Sequence, residues 1–226
     1  MVHDYFRLGR IGMLVVAIIA PIYTTLYFMA WMGLLTLGPM VPLVLVLFAL
    51  SIGLYIGFVV SGMGFLGFSK TMNLKWGQVG LLFPILFGWA FLSAEIYQVV
   101  LLYLNALYQT LRLYLAWLLP SWLLSPIFAE IFIWVLKFGF FVCFSFIWSW
   151  LLFQAESVTK QPRRTFLTAW LFLATGLTFV PLLLTGSILS FYIAIPIFAA
   201  GGLLLCLSSI LNGLIFRNFE DQKSDF

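Results

Sequence analysis

The sequence predicts an all-α integral membrane protein, a bundle of about six transmembrane helices that forms a single polytopic domain over residues 1–226. The composition is the first observation behind this fold class. The chain is 64% hydrophobic and 8% charged, with a mean hydropathy of +1.15, whereas soluble domains are about half apolar and about a quarter charged. The second observation is that the apolar runs do not alternate with polar residues, which excludes the strands of a membrane β-barrel.

Six segments are long enough to span a bilayer, which takes about 20 apolar residues. In order, they are residues 11–35, 41–66, 79–104, 126–153, 166–184 and 188–214. Uncharged turns at residues 38–39 and 185–187 separate two pairs of spans, and residues 69–78 and 154–165 form charged loops. The first run is too long for the core of a secretory signal, which has about 7–15 residues, so we interpret it as a retained helix.

The basic residues predict the orientation, because short cytoplasmic loops are enriched in Lys and Arg. With the N-terminus inside, nine of the eleven basic residues are cytoplasmic: Arg7, Arg10, Lys70, Lys75, Lys160, Arg163, Arg164, Arg217 and Lys223. The opposite side receives only Arg112, and Lys137 falls within a span. Both termini are therefore expected in the cytoplasm, with a bacterial inner membrane as the expected location. The net charge of +4 reflects this topology and not a nucleic-acid partner.

Two opposite charges are predicted at matched depth in consecutive spans. Glu95 lies about ten residues before the end of the third span, and Lys137 about eleven residues after Pro126, so both are about 15 Å below the outer boundary. Each charge costs about 2.5–3.5 kcal/mol in mid-membrane. Glu130 is a competing partner for Lys137. Three roles stay open for the pair: a structural salt bridge, a proton or ion relay, or a contact with another subunit.

Small residues recur at every fourth position of the second span, at Gly53, Gly57 and Ser61. They share one helix face and permit close helix packing, within the bundle or with a partner chain. The alternative is that glycine is simply common in membrane helices. A G-x-G-x-x-G match at residues 62–67 closes this span, and it lacks the strand–helix context of a dinucleotide site.

A narrow polar stripe continues the third span outward. It consists of Gln98, Asn105, Gln109 and Arg112. At about 100° per residue these side chains lie on one line of a helix, with an apolar flank opposite. Residues 105–125 are therefore predicted to form an amphipathic outer segment. A helix that projects from the membrane and one that lies along its surface are equally compatible with the stripe.

The fourth span carries aromatic residues on every side, so they do not outline a pocket. They are Phe132, Trp134, Phe138, Phe140, Phe141, Phe144, Phe146, Trp148 and Trp150. We expect these rings to face lipid or a neighbouring subunit. A cofactor pocket is the less favoured interpretation.

Residues for catalysis are scarce. His3 is the single histidine, and Cys143 and Cys206 lie in apolar runs without metal-type spacing. No nucleophile–base pair or cluster of carboxylates can be assembled from the sequence. We therefore expect no enzyme activity, no metal and no cofactor. No motif is long enough to indicate a family.

The favoured hypothesis for function is a non-catalytic, multi-pass membrane subunit of a larger complex, such as an energy-transducing, secretion or transport assembly. Its expected partners are the lipid bilayer and other membrane subunits. The alternative is a small stand-alone transporter or channel that uses the Glu95–Lys137 pair. The few polar residues in the third and fourth spans favour the subunit, because a permeation path needs more than one polar pair.

Overall fold

The computed structural model describes residues 2–31, 40–72, 74, 76–89, 91–94, 96, 126–157, 159, 161–185 and 191–221. Of these, 95% are helical and none lies in a strand. The helices are α1 (Val2–Trp31), α2 (Met40–Met72), α3 (Val79–Ala94), α4 (Pro126–Glu156), α5 (Pro162–Thr185) and α6 (Phe191–Asp221).

Four of these helices contain a stretch that is long and apolar enough to cross a membrane. The stretches are Asp4–Met29, Leu45–Thr71, Val135–Glu156 and Pro196–Glu220, with mean hydropathies of 2.0, 2.2, 1.8 and 1.9. Helix α3 is apolar but shorter over the residues described. The all-α prediction is thus confirmed for the described chain, and the four stretches indicate a membrane protein.

The helices extend beyond the predicted apolar spans at the end that carries the basic residues. Helix α1 begins at Val2 instead of residue 11, α2 continues to Met72 instead of residue 66, and α6 continues to Asp221 instead of residue 214. The prediction followed apolarity alone, and apolarity marks where the hydrocarbon ends. Backbone hydrogen bonding remains favourable past that point, since each added residue contributes one bond to an existing helix.

Helix α1 packs against α2 and α6, and α5 packs between α4 and α6. Helix α3 joins α2 and α4: Gly80 lies against the Phe65 and Leu151 side chains, and the Phe83 ring stacks on Phe140 at 5.7 Å between centroids. Arg10 of α1 forms an ion pair with Glu220 of α6, with 2.9 Å between Nη1 and Oε2. The first and last helices therefore meet, and the bundle closes.

The core consists largely of aromatic rings. Phe58 of α2 lies 4.2 Å from Phe144 of α4 between ring centroids, and Phe144 lies 4.1 Å from Trp148. Trp148 also contacts Phe65 of α2 and Phe172 of α5, at 4.8 and 5.6 Å. All five side chains are fully buried. Rings from α2, α4 and α5 therefore interlock along the centre of the bundle.

The expectation that the rings of the fourth helix face lipid or a partner was wrong for most of them. The buried rings are Phe138, Phe140, Phe141, Phe144 and Trp148. Trp150 is exposed and Phe146 is half-buried, and the side chains of Phe132 and Trp134 are outside the described part. The rings turn inward because helices in lipid associate through van der Waals packing, and large flat side chains supply many such contacts.

Candidate functional site

In the part of the chain that the structure describes, Lys137 is the charged side chain that lies inside the bundle. It is only 1% exposed and lies on α4, eleven residues from Pro126 and nineteen from Glu156. These separations correspond to roughly 16 and 28 Å along the helix axis. An ionised group at such a depth is costly and marks a candidate functional site.

The Lys137 ammonium lies over the ring of Tyr27 on α1, with Nζ 4.4 Å from the ring centroid. Tyr27 stacks on Tyr23 one turn earlier, at 5.8 Å, and both rings are buried. The negative face of an aromatic ring attracts a cation, and the attraction is strongest where water is excluded. Tyr27 thus stabilises the charge of Lys137 where hydration cannot.

Further rings surround the tyrosine pair. Tyr27 contacts Phe138 and Phe198 at 6.3 and 6.0 Å, and Tyr23 contacts Phe91 at 6.0 Å. Helices α1, α3, α4 and α6 therefore all contribute to the surroundings of this site. Chemically, the arrangement can hold a positive charge at a fixed depth and attract an anionic group to it. Proton exchange at the amine is the reaction available to Lys137 itself.

The predicted anionic partners of Lys137 stay predictions. Glu95 lies outside the described residues, and Glu130 belongs to α4 but its side chain is not described. The polar stripe and the amphipathic outer segment of residues 105–125 also lie outside the described part; the stripe consists of Gln98, Asn105, Gln109 and Arg112. Sequence reasoning overlooked Tyr23 and Tyr27, whose spacing of four residues places them on one helix face.

The small residues of α2 lie against α1. A side-chain carbon added at Gly53 would come within 2.7 Å of Ile19, and one added at Gly57 within 2.9 Å of Val16. Ser61 donates its hydroxyl to the carbonyl of Gly57, so it carries no unsatisfied polar group into the contact. These three positions therefore lie where α1 and α2 of the same chain pack closely together.

Helix α1 contributes two glycines of its own to this contact. We call the whole contact the glycine seam; it consists of Gly9 and Gly12 of α1 and of Gly53, Gly57, Ser61 and Gly64 of α2. A carbon added at Gly12 would overlap the backbone nitrogen of Ser61 and lie 2.7 Å from the Gly57 carbonyl oxygen. One added at Gly9 would lie 2.6 Å from the Cα atom of Gly64. The backbones of α1 and α2 are therefore in direct contact.

The core also contains polar groups that sequence reasoning did not single out. The Asn212 amide of α6 is fully buried and donates to the Met13 sulfur of α1 at 3.7 Å, while its carbonyl oxygen has no partner among the described residues. Asn212 was visible in the sequence as an amide inside an apolar span. Polar side chains between membrane helices commonly connect them through hydrogen bonds, and here the connection joins α1 to α6.

Six of the seven described basic residues gather at one end of the bundle, where α1 and α5 begin and α2 and α6 finish: Arg7, Arg10, Lys70, Arg163, Arg164 and Arg217. Arg10 pairs with Glu220, and Lys70 donates to the Tyr5 hydroxyl at 2.7 Å. The seventh is Lys137. This end, which we call the basic end, also carries Asp4, Glu156, Glu220 and Asp221, so basic residues outnumber acidic ones there by six to four among the described residues.

The described residues contain no group of three His, Cys, Asp or Glu side chains that could hold a metal ion. The fold and the site together define a helical membrane protein that buries one basic side chain, Lys137, among its described residues. No protein-family model matches the chain, nor does any curated protein or solved structure.

Proposed function

We propose that the chain is a non-catalytic, multi-pass membrane subunit of a larger membrane protein complex, of the kind found in energy-transducing, secretion or transport assemblies. In this proposal it spans a bacterial inner membrane six times, with both termini in the cytoplasm. The basic end of the bundle is then the cytoplasmic end, in accordance with the enrichment of Lys and Arg on that side of membranes.

The observation that carries the proposal is the interlocked aromatic core. Phe58, Phe144 and Trp148 occupy the centre of the described bundle at centroid separations of 4.1–4.2 Å between successive rings. A permeation path needs polar groups or water along its length, whereas close-packed rings resist rearrangement. Such an interior suits a rigid support for other chains.

The exposed face of α3 supports the same proposal. Leu82, Leu86 and Trp89 follow one another at helical spacing and are 47, 62 and 66% exposed. Trp89 lies ten residues into α3, about 15 Å from its start. Tryptophan favours the headgroup boundary over the hydrocarbon, so a ring exposed at this depth suits a contact with another membrane helix.

The subunit proposal is tested by the mass of the native particle. Protein extracted in mild detergent should migrate on a native gel at a mass well above 25.7 kDa, together with other chains. The double variant L86A/W89A should lose those chains, whereas L177A, which removes a side chain of α5 that is 57% exposed, should retain them. A wild-type particle that contains a single protein chain would overturn the proposal.

A small transporter is the second candidate, and the burial of Lys137 at 1% exposure is the observation that favours it. The purified chain alone, reconstituted in liposomes, should then conduct protons or ions, and both Glu95→Gln and Lys137→Met should abolish the flux. The subunit proposal expects no flux from the isolated chain, with or without a proton gradient. Flux that depends on Lys137 would therefore favour the transporter.

A further inference from the structure

Helix α5 has a sharply divided surface. Arg163, Phe166, Leu167, Trp170 and Leu177 are all exposed, and at about 100° per residue they lie within about 60° of one line along the helix. The opposite face is buried against α4 and α6, and it carries Thr165, Thr168, Ala169, Phe172, Thr175 and Phe179. Arg163 thus stands at the head of an apolar, outward-facing stripe.

The charge at the head of this stripe is not neutralised by the described protein. Neither Arg163 nor Arg164 forms an ion pair with a described residue; Arg164 donates to the Gln161 side chain at 3.1 Å. The first turn of α5 contains no acidic residue, although a helix N-terminus favours negative charge. Arg10, by contrast, is paired with Glu220. The arginines therefore lie next to the positive end of the helix dipole. An external anion beside Arg163 would reduce the repulsion between the two.

Three rings lie below Arg163 on the same side of α5. Phe153 of α4 contacts Phe166 and Trp170 of α5 at 5.8 and 5.7 Å, and the latter two are 6.1 Å apart. Along the axis, Phe166 and Trp170 lie about 4.5 and about 10 Å below Arg163. This is the depth at which aromatic side chains meet the headgroup and glycerol region of a bilayer. We call these three rings the ring cluster.

We propose that the start of α5 binds an anionic phospholipid, with the guanidinium group of Arg163 on its phosphate, Arg164 adding positive charge beside it, and the ring cluster against its glycerol and upper acyl chain. Guanidinium groups bind phosphate through two parallel hydrogen bonds. The proposal requires only that the chain is embedded in a membrane. It does not depend on the subunit role, and either can fail without the other.

The uncompensated arginine pair selects an anionic headgroup over a zwitterionic one. Phosphatidylcholine carries an ammonium group of its own, and the first turn of α5 offers no carboxylate to receive it. Phosphatidylglycerol brings a net negative charge without a second cation. A basic pair next to a transmembrane helix is a recognised means of attracting such lipids.

The test uses the full purified chain in detergent and native mass spectrometry to count retained lipids during titration with phosphatidylglycerol or phosphatidylcholine. Arg163→Gln should weaken retention of phosphatidylglycerol about fivefold and leave that of phosphatidylcholine unchanged. Arg7→Gln is the matched control, since Arg7 is an exposed arginine at the same end of the bundle without an ion pair to a described residue. It should change retention less than twofold.

Two further variants keep the proposal testable if Arg163→Gln lowers protein yield. Arg163→Lys preserves the charge but loses the two-pronged contact, so it should weaken phosphatidylglycerol binding by a smaller factor. Trp170→Ala removes an exposed ring and should weaken retention of both lipids while keeping the preference between them. The thermal midpoints of the two Arg163 variants, measured in phosphatidylcholine, should match that of the wild type.

Three results would overturn the proposal. If Arg7→Gln and Arg163→Gln weaken phosphatidylglycerol retention equally, retention depends on the overall charge of the protein and not on a site at Arg163. Equal retention of the two lipids by the wild type would show that the headgroup is not recognised. Displacement of phosphatidylglycerol by inorganic phosphate at the same concentration would show that the arginines bind a soluble anion and not a lipid.

Discussion

At the scale of single residues, the molecule depends on a few positions that tolerate little change. The lack of a side chain at Gly12 allows the backbone of α2 to pack directly against α1. The ammonium group of Lys137 lies over the ring of Tyr27. The first position is constrained by space and the second by electrostatics. Both constraints arise because lipid offers neither water for a charge nor a hydrophobic force that would press loosely fitting helices together.

Gly12→Ala should lower the free energy of unfolding by about 1–3 kcal/mol, which is the usual cost of an extra methyl group in a packed interior. The added carbon would overlap the backbone nitrogen of Ser61, and a backbone cannot rotate away as a side chain can. Gly213→Ala is the control, because its added carbon would meet its nearest neighbour, Met13, at an ordinary 3.5 Å. Thermal unfolding in detergent measures both. Equal midpoints would contradict the direct backbone contact.

Lys137 and Glu95 should show energetic coupling. Removing one member of a buried ion pair leaves a lone charge, at a cost of about 3–5 kcal/mol. The double variant Glu95→Gln with Lys137→Met should therefore be more stable than the sum of the two single losses predicts. Methionine preserves most of the lysine volume, so the packing around Tyr27 is retained. Strictly additive losses of thermal stability would show that the two residues do not interact.

At the scale of elements, α4 organises the bundle. Its buried rings contact α2 through Phe58 and Phe65, α3 through Phe83, and α5 through Phe172. Its outward residues include Val135 and Trp150, both more than 40% exposed. One helix thus supplies the central surface on which three others are assembled.

Trp148→Ala should destabilise the protein by about 3 kcal/mol or more, as aromatic-to-alanine changes do in close-packed cores. Trp148 is fully buried between α2 and α5, so its loss opens a cavity that its neighbours cannot fill. Trp150→Ala removes the same side chain from the same helix at a site that is 42% exposed, and lipid can fill the space. Its cost should be much smaller. A chemical-denaturation series in mixed micelles would compare them, and similar losses would contradict the inward orientation of the α4 rings.

The sequence predicts where α4 lies but not which of its sides is buried. Pro126 and the polar residues after Phe153 mark its ends, because proline favours a first helical turn and charges avoid hydrocarbon; the helix runs Pro126–Glu156. Its rings, however, occur all round the helix, and such a pattern has no polar side to distinguish lipid from core. For the same reason the approach of Tyr27 to Lys137, which are 110 residues apart in the chain, had no local signal.

The glycine seam was predicted in part. The repeat at Gly53, Gly57 and Ser61 was visible because its period of four residues places it on one face. The opposing pair, Gly9 and Gly12, precedes or begins the first apolar span and does not form such a repeat. Only the three-dimensional arrangement places the two sets against each other.

At the scale of the whole molecule, the basic end predicts the orientation in the membrane. In a variant without Cys143 and Cys206, single cysteines placed at Asn73 and Val158 should react with an impermeant thiol reagent only from the cytoplasmic side. A cysteine at Leu115 should react from the opposite side. The physical reason is that moving several arginines across a bilayer is far costlier than moving the nearly uncharged opposite end. Reaction of position 115 from the cytoplasm would overturn this topology.

The contact between the first and last helices has a consequence for synthesis. Phe6 of α1 stacks on Phe219 of α6 at 5.3 Å and also contacts Phe216. About 210 residues must therefore be made after Phe6 before its partners exist, which takes roughly 10–40 s at about 5–20 residues per second. During that interval α1 can form the glycine seam with α2 while its α6-facing surface stays open to chaperones and membrane proteases. Synthesis that stops before α6 leaves this surface uncovered, so the closure of α1 on α6 distinguishes a chain that contains α6 from one that lacks it.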